Sequence, residues 1–169
     1  MGAIWIVDAC VFIDMRAAGL LTQMTELSGK LGQDLATTDL VADELNENPD
    51  ETELSRLGFE IVGFSAGRLD ELVCFRSQYS GLSLSDASAF LLALERESML
   101  VTNEGPLRNR AARSGVQVHG TLWLLQQMVR QNVVSPRKAA TALKTMLAAG
   151  SRFPNNGCAK LLTAWDAVG

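Results

Sequence analysis

Short apolar runs alternate with amphipathic stretches along this chain. AIWIV (3–7), LATT (35–38), FEIVGF (59–64), MLVT (99–102) and VQV (116–118) read as five strands. Helix-like residues follow the first run through LLTQMTEL (20–27), and TTDLVADELN (37–46) carries the second run into a short helix. AGRLDELVCFRSQY (66–79) is an amphipathic helix stopped by Gly81, and SLSDASAFLLALERE (83–97) is a helix opened by Ser83 or Ser85 as cap. Gly105–Pro106 starts another, GTLWLLQQMVRQN (120–132) is helical, and two more run from Pro136 to about Ala149 and from about Gly157 to Trp165. The acidic NENPDETE (46–53) reads as a surface loop. Strands alternating with helices predict an α/β fold, a mostly parallel sheet of about five strands covered on both faces.

Length and composition fit that picture. The chain has 169 residues, 47% of them hydrophobic, enough for one domain with a substantial core. Cys10, Cys74 and Cys158 are odd in number and far apart, which argues against a disulfide framework or a zinc site and for a reducing cytosol. The start, MGAIWIVDACVFID, has no basic leader, and no apolar run approaches the ~18 residues that span a membrane. A cytoplasmic protein with no membrane partner is expected. The net charge of −4 conceals a division: residues 1–100 hold 17 acids and 6 Lys/Arg, residues 101–169 hold 2 acids and 9 Lys/Arg. Such segregation points to a polyanion for the basic part or a basic partner for the acidic part, unless the two parts interleave in the fold.

The acids bring candidate chemistry. Helical spacing sets Glu44 on the apolar face of Leu40, Val41 and Leu45, while Asp39, Asp43 and Glu47 fall on a face open to water. Asp8 directly follows the first strand, Asp86 sits in the first turn of a nearly all-apolar helix, and Glu104 comes two residues after the fourth strand. A salt bridge or a one-residue shift of the helix would explain Glu44 alone, and the helix dipole would explain Asp86 or Glu104 alone. Together the four belong to the carboxyl edge of a parallel sheet, where open α/β folds bind ligands. Clustered carboxylates repel one another without a cation, and hard oxygen ligands select Mg²⁺ or Mn²⁺. At least one should then titrate above its usual range in the metal-free protein.

Other chemistries lack their signatures. GKLG (29–32) does not have the spacing of a phosphate loop, no GxGxxG is present, and no Ser/His pair carries an elbow. VDACV lacks the second Asp of a haloacid-dehalogenase-type phosphatase, and His119 reads as a strand-end structural residue. Arg108, Arg110 and Arg113 could hold phosphates, though a solvated helix face explains them as well. Asp14 reads as an acid on an exposed turn, with an auxiliary role at the site as the other option.

IVDACVFIDM (6–15), TTDLVADEL (37–45), LSLSDASAFLLALERE (82–97) and LVTNEGPLRNRAARSGVQVHGTLWLL (100–125) resemble, in order, the successive motifs of PIN-domain proteins. The overall shape is similar to VapC-type toxins of toxin–antitoxin pairs and their short relatives. The resemblance covers about residues 4–132, so a PIN-like domain over 1–132 is expected, with 133–169 a C-terminal helical extension packed on it. It implies a three-layer α/β/α sandwich and a ribonuclease that uses Mg²⁺ or Mn²⁺ and leaves a 5′-phosphate. It also implies that Asp8, Glu44, Asp86 and Glu104 form the acidic quartet, supported by Thr102 and Asn103. Arg108 and Arg113 become candidates for substrate phosphates. The fourth acid is usually Asp, and here it is Glu104, one methylene longer. RNA, a cognate antitoxin and a second copy of the chain, docked through elements between residues 66 and 97, are the implied partners. The alternative is a non-catalytic PIN-like module with a degenerate site that binds RNA or protein.

Overall fold

The computed structural model describes residues 3–45, 51–64 and 67–168. Among them, five strands form one all-parallel sheet: β1 (Ala3–Val7), β2 (Gln33–Thr38), β3 (Phe59–Val62), β4 (Met99–Val101) and β5 (Val118–His119), in the order β3-β2-β1-β4-β5. The helices are α1 (Ala9–Ala17), α2 (Leu21–Lys30), α3 (Asp39–Glu44), α4 (Glu51–Arg56), α5 (Leu69–Ser77), α6 (Leu84–Glu95), α7 (Gly105–Arg113), α8 (Thr121–Arg130), α9 (Pro136–Ala148) and α10 (Asn155–Asp166).

Local chemistry sets these boundaries. Ser83 and Asp86 close a reciprocal capping box that starts α6, and Thr38 caps α3 through the Val41 amide. Ser135 caps α9, with Pro136 in its first turn. The Ala3–Val7 strand pairs Trp5 with Leu35 on one side and Met99 on the other, so its apolar side chains lie in the sheet centre. Buried on both faces, β1 and β4 read as continuous apolar runs rather than alternating ones. Helix α6 packs on β1, β2 and β4 with α3, α5 and α7 beside it. Helix α2 packs on β2, α1 and α8, and α9 rests on α1 and α8 with α10 against it. The result is a three-layer α/β/α sandwich.

Two expectations need correction. Of the stretch read as an acidic loop, residues 46–50 lie outside the described residues, but Glu51–Arg56 is helical and Arg16 pairs with Glu53 at 3.3 Å. The last strand is Val118–His119, one or two residues later than its apolar run suggests. Among the described residues no helix is long and apolar enough to cross a membrane.

Candidate active site

The strand order switches sides between β1 and β4, so the carboxyl ends of these two parallel strands flank the crevice where α/β folds take ligands. Asp8 stands at the end of β1 as the N-cap of α1, its Oδ1 accepting the Ala9 amide at 2.8 Å. Its Oδ2 accepts the Thr102 hydroxyl at 2.8 Å and the Cys10 thiol at 3.4 Å. Thr102 thus joins the ends of β4 and β1, and its Oγ1 also accepts the Glu104 amide at 3.1 Å. Burial, helped by the negative charge of Asp86 and opposed by the Thr102 hydrogen bond, pushes the Asp8 carboxyl up to about 6. The expected upward shift is present, with burial rather than crowding as its larger cause. Burial, reinforced by the Asp8 charge, also pushes the Cys10 thiol up, so Cys10 is a weak donor rather than a thiolate nucleophile.

A cavity of about 300 Å³ brings Asp8, Glu44, Asp86 and Glu104 together, with Cys10 and Ser83 beside them. The four arrive from four elements: β1's end, the last residue of α3, the first turn of α6 and the residue before α7. None forms an ion pair with Lys or Arg among the described residues. Glu44 departs from the helical expectation. Helix α3 ends at Glu44, so its carboxylate is exposed at the cavity rim rather than set in the core, and Ser85 Oγ holds its Oε2 at 2.6 Å. Asp86 is half-buried, and its Oδ2 takes the Ser83 amide at 2.9 Å in the capping box, so it serves the helix as well as the cavity. Glu104 is exposed. Among the described residues, no group of three or more such side chains stands close enough to hold a metal ion as placed.

The remaining candidates separate. Asn103 faces away from the quartet: Nδ2 donates to Asp14 Oδ2 at 2.8 Å and to Thr121 Oγ1 at 2.7 Å, and Oδ1 accepts the Thr121 amide at 2.9 Å. Arg108 reaches back to the Thr102 carbonyl at 2.7 Å. Arg113, exposed at the far end of α7, stands about 12 Å along the helix from Gly105, and the structure does not bring it to the acids. His119 ends β5 and stacks on Trp123 with ring centroids 4.2 Å apart.

Asp14 reverses its expectation. It is buried, and it accepts Asn103, Thr121 Oγ1 at 2.8 Å and Ser151 Oγ. Burial raises its pKa, and the Ser151, Thr121 and Asn103 hydrogen bonds oppose the rise. Its only sequence signal was its place in α1 between the apolar Val11 and Met15, since its donors lie 89, 107 and 137 residues away. Gly120 is required beside this network, because a Cβ there would collide with Asn103 Oδ1 and stand 3.0 Å from Arg108 Nη1.

The chain belongs to the PIN-domain family, whose profile matches residues 4–167. PIN domains are generally nucleases. Among solved structures it is similar to a PilT N-terminus domain protein from the hyperthermophilic archaeon Sulfolobus solfataricus P2. That pair shares 18% identity and a TM-score of 0.51 over 73% of this chain and 91% of the other. It is also similar to PAE2754 from Pyrobaculum aerophilum, at 20% identity and a TM-score of 0.51 over 75% and 90% of the two chains. At such identities the likeness concerns the fold. No curated protein matches the sequence significantly.

Proposed function

We propose that this chain is an endoribonuclease that hydrolyses RNA phosphodiester bonds with the help of Mg²⁺ or Mn²⁺. One observation carries the reading: four carboxylates from separate elements line one cavity at the crossover point of the sheet, with no Lys or Arg paired to them among the described residues. The donor set is all hard oxygen, which suits such a cation, and the charge of Asp86 beside the buried Asp8 is one that a cation would offset. Asp8 and Asp86 would hold the ion from the inner wall, with Glu44 and Glu104 at the exposed rim, where their side chains have the freedom to close on it. A bound divalent ion supplies charge to a phosphoryl oxygen and makes water more acidic. Thr102 fixes the Asp8 carboxylate, and Ser85 keeps Glu44 at the rim. Asn103 reaches the site only through its backbone amide, which donates at 3.3 Å to the Cys10 sulfur beside Asp8.

We further infer that this nuclease is the toxin of a toxin–antitoxin pair and works as a homodimer in the cytoplasm, with residues 133–169 as an extension of the PIN-like domain over 1–132. Leu69 and Val73 of α5, 41% and 51% exposed, support a contact through the 66–97 region. Ile13, 54% exposed at the cavity wall, offers an apolar foothold for an antitoxin helix. A second reading, a PIN-like binding module without catalysis, draws on the failure of any three acids to converge as placed.

Cleavage decides between them. Purified protein with Mn²⁺ or Mg²⁺ should cut single-stranded RNA, EDTA should stop it, and Asp8→Asn should remove the activity from a folded protein. RNA left intact with every divalent ion, while wild type and Asp8→Asn bind it equally, would establish the module instead.

A further inference from the structure

Beside the acids the surface changes sign and becomes aromatic. The quartet cavity shares Cys10, Ile13 and Glu104 with a second hollow of about 510 Å³, whose other wall includes Gly105 and Arg152. Gly105 and Arg152, with Asn103, then line a third hollow of about 430 Å³ that also contains Arg108, His119, Trp123 and Phe153. Three adjoining hollows therefore form one groove, acidic at the Asp8 end and cationic at the Trp123 end. The third hollow has the size of a small-molecule site, commonly ~300–1,000 Å³.

Its chemistry is specific. Arg152 is exposed and has no ion-pair partner among the described residues. Arg108 spends one nitrogen on the Thr102 carbonyl, which fixes its guanidinium in the wall. His119 and Trp123 lie nearly parallel, 15° apart with centroids at 4.2 Å, and Trp5 meets Trp123 edge-on at 5.4 Å. The stack is therefore anchored in the core. Burial, and next the Arg108 charge, keep the His119 pKa below its ordinary value, so at pH 7 the ring is a neutral stacking surface. Planar rings beside two guanidinium groups match a nucleobase with its flanking phosphates, and every base has a face to stack. A base locked inside a duplex cannot enter such a hollow.

We propose that this third hollow binds one nucleotide of single-stranded RNA, its base extending the His119–Trp123 stack and its phosphates held by Arg108 and Arg152. The proposal rests on the ribonuclease reading for its direction: the groove delivers a neighbouring phosphodiester past Gly105 to the acids. The extension after α9 supplies Arg152 and Phe153, so it would contribute directly to substrate selection.

Binding in EDTA tests the subsite apart from cleavage. A fluorescein-labelled hexaribonucleotide is titrated with the full chain, with the same sequence as a duplex for comparison and inorganic polyphosphate as competitor. The single strand should bind more tightly than the duplex. Arg152→Ala should weaken its binding about tenfold and lower the slope of log K against log salt by about one. His119→Ala should weaken RNA binding about fivefold while polyphosphate competition stays unchanged, because only the base needs the stack. Wild-type affinity in both variants, or duplex binding as tight as single-strand binding, would overturn the proposal. Protein that binds in this manner but cuts nothing with Mn²⁺ overturns the ribonuclease reading and leaves the subsite standing. Cleavage with unchanged KM in both variants does the reverse.

Discussion

Asp8 and Asp14 are both buried aspartates of the N-terminal segment, 2% and 5% exposed, yet their surroundings set them to opposite tasks. Asp14 accepts three side-chain donors, from the second residue after β4, the start of α8 and the turn after α9. It fastens those pieces to α1. Asp8 accepts one hydroxyl, one amide and a weak thiol, faces the charge of Asp86, and borders an open cavity. Burial alone does not mark a site; a second carboxylate close enough to be felt, as Asp86 is by Asp8, does.

Activity should separate the pair most widely. Asp8→Asn should cost on the order of 10³-fold in RNA cleavage, since it removes a charge that an ion of transition-state importance needs. Asp14→Asn, measured in the same assay well below its unfolding midpoint, should stay within about tenfold of wild type. Equal losses would erase the distinction.

Stability should reverse the ranking. Asp14→Ala deprives the buried Thr121 and the half-buried Asn103 and Ser151 of an acceptor and should cost about 3 kcal/mol in urea unfolding. A loss under about 1 kcal/mol would mean that water replaces the carboxylate.

The pH dependence sharpens the comparison further. In metal-free protein the unfolded Asp8 releases its proton near 3.8, while the folded one holds it to about 6. Between those values the unfolded chain binds fewer protons, so this group lowers stability as pH rises and its cost is complete above about 6. Asp8→Asn should therefore gain roughly 3 kcal/mol at pH 8 in EDTA and nothing at pH 3, read from denaturant melts at the two pH values. A gain that is the same at both would place its origin elsewhere.

The smallest effect belongs to the rim. Glu44→Gln should change metal-free stability by no more than about 0.5 kcal/mol, because the side chain is exposed. It should still reduce the rise in Tm that Mn²⁺ gives wild type, which differential scanning calorimetry would measure. An unaltered Mn²⁺ response would remove Glu44 from the site.

Much of this was legible along the chain, because parallel strands and their helices write their periods locally. AIWIV and MLVT mark β1 and β4 within a residue, and Asp8 and Glu104 follow from them. Ser83 and Ser85 both announce the start of α6, and the cap is Ser83. What could not be read depends on pairing at a distance. The order β3-β2-β1-β4-β5 is a tertiary fact, as is the burial of Asp14 by donors from three remote segments. Glu44 was misplaced because helical spacing assumes that the helix continues, and α3 stops at that residue. Asp39, expected to face water, is half-buried and accepts the Phe64 amide at 2.9 Å. Arg152 gave no signal, since its importance comes from the cavity it enters rather than from its neighbours in sequence.

Direct Mn²⁺ binding tests the central claim, that the Asp8 cavity and not the Asp14 network is a cation site. Electron paramagnetic resonance of free Mn²⁺, titrated with wild type, Asp8→Asn and Asp14→Asn below their unfolding midpoints, reads it without RNA or turnover. The account predicts that wild type and Asp14→Asn take up the ion alike and that Asp8→Asn leaves it free in solution. Uptake by Asp8→Asn equal to that of wild type would contradict it.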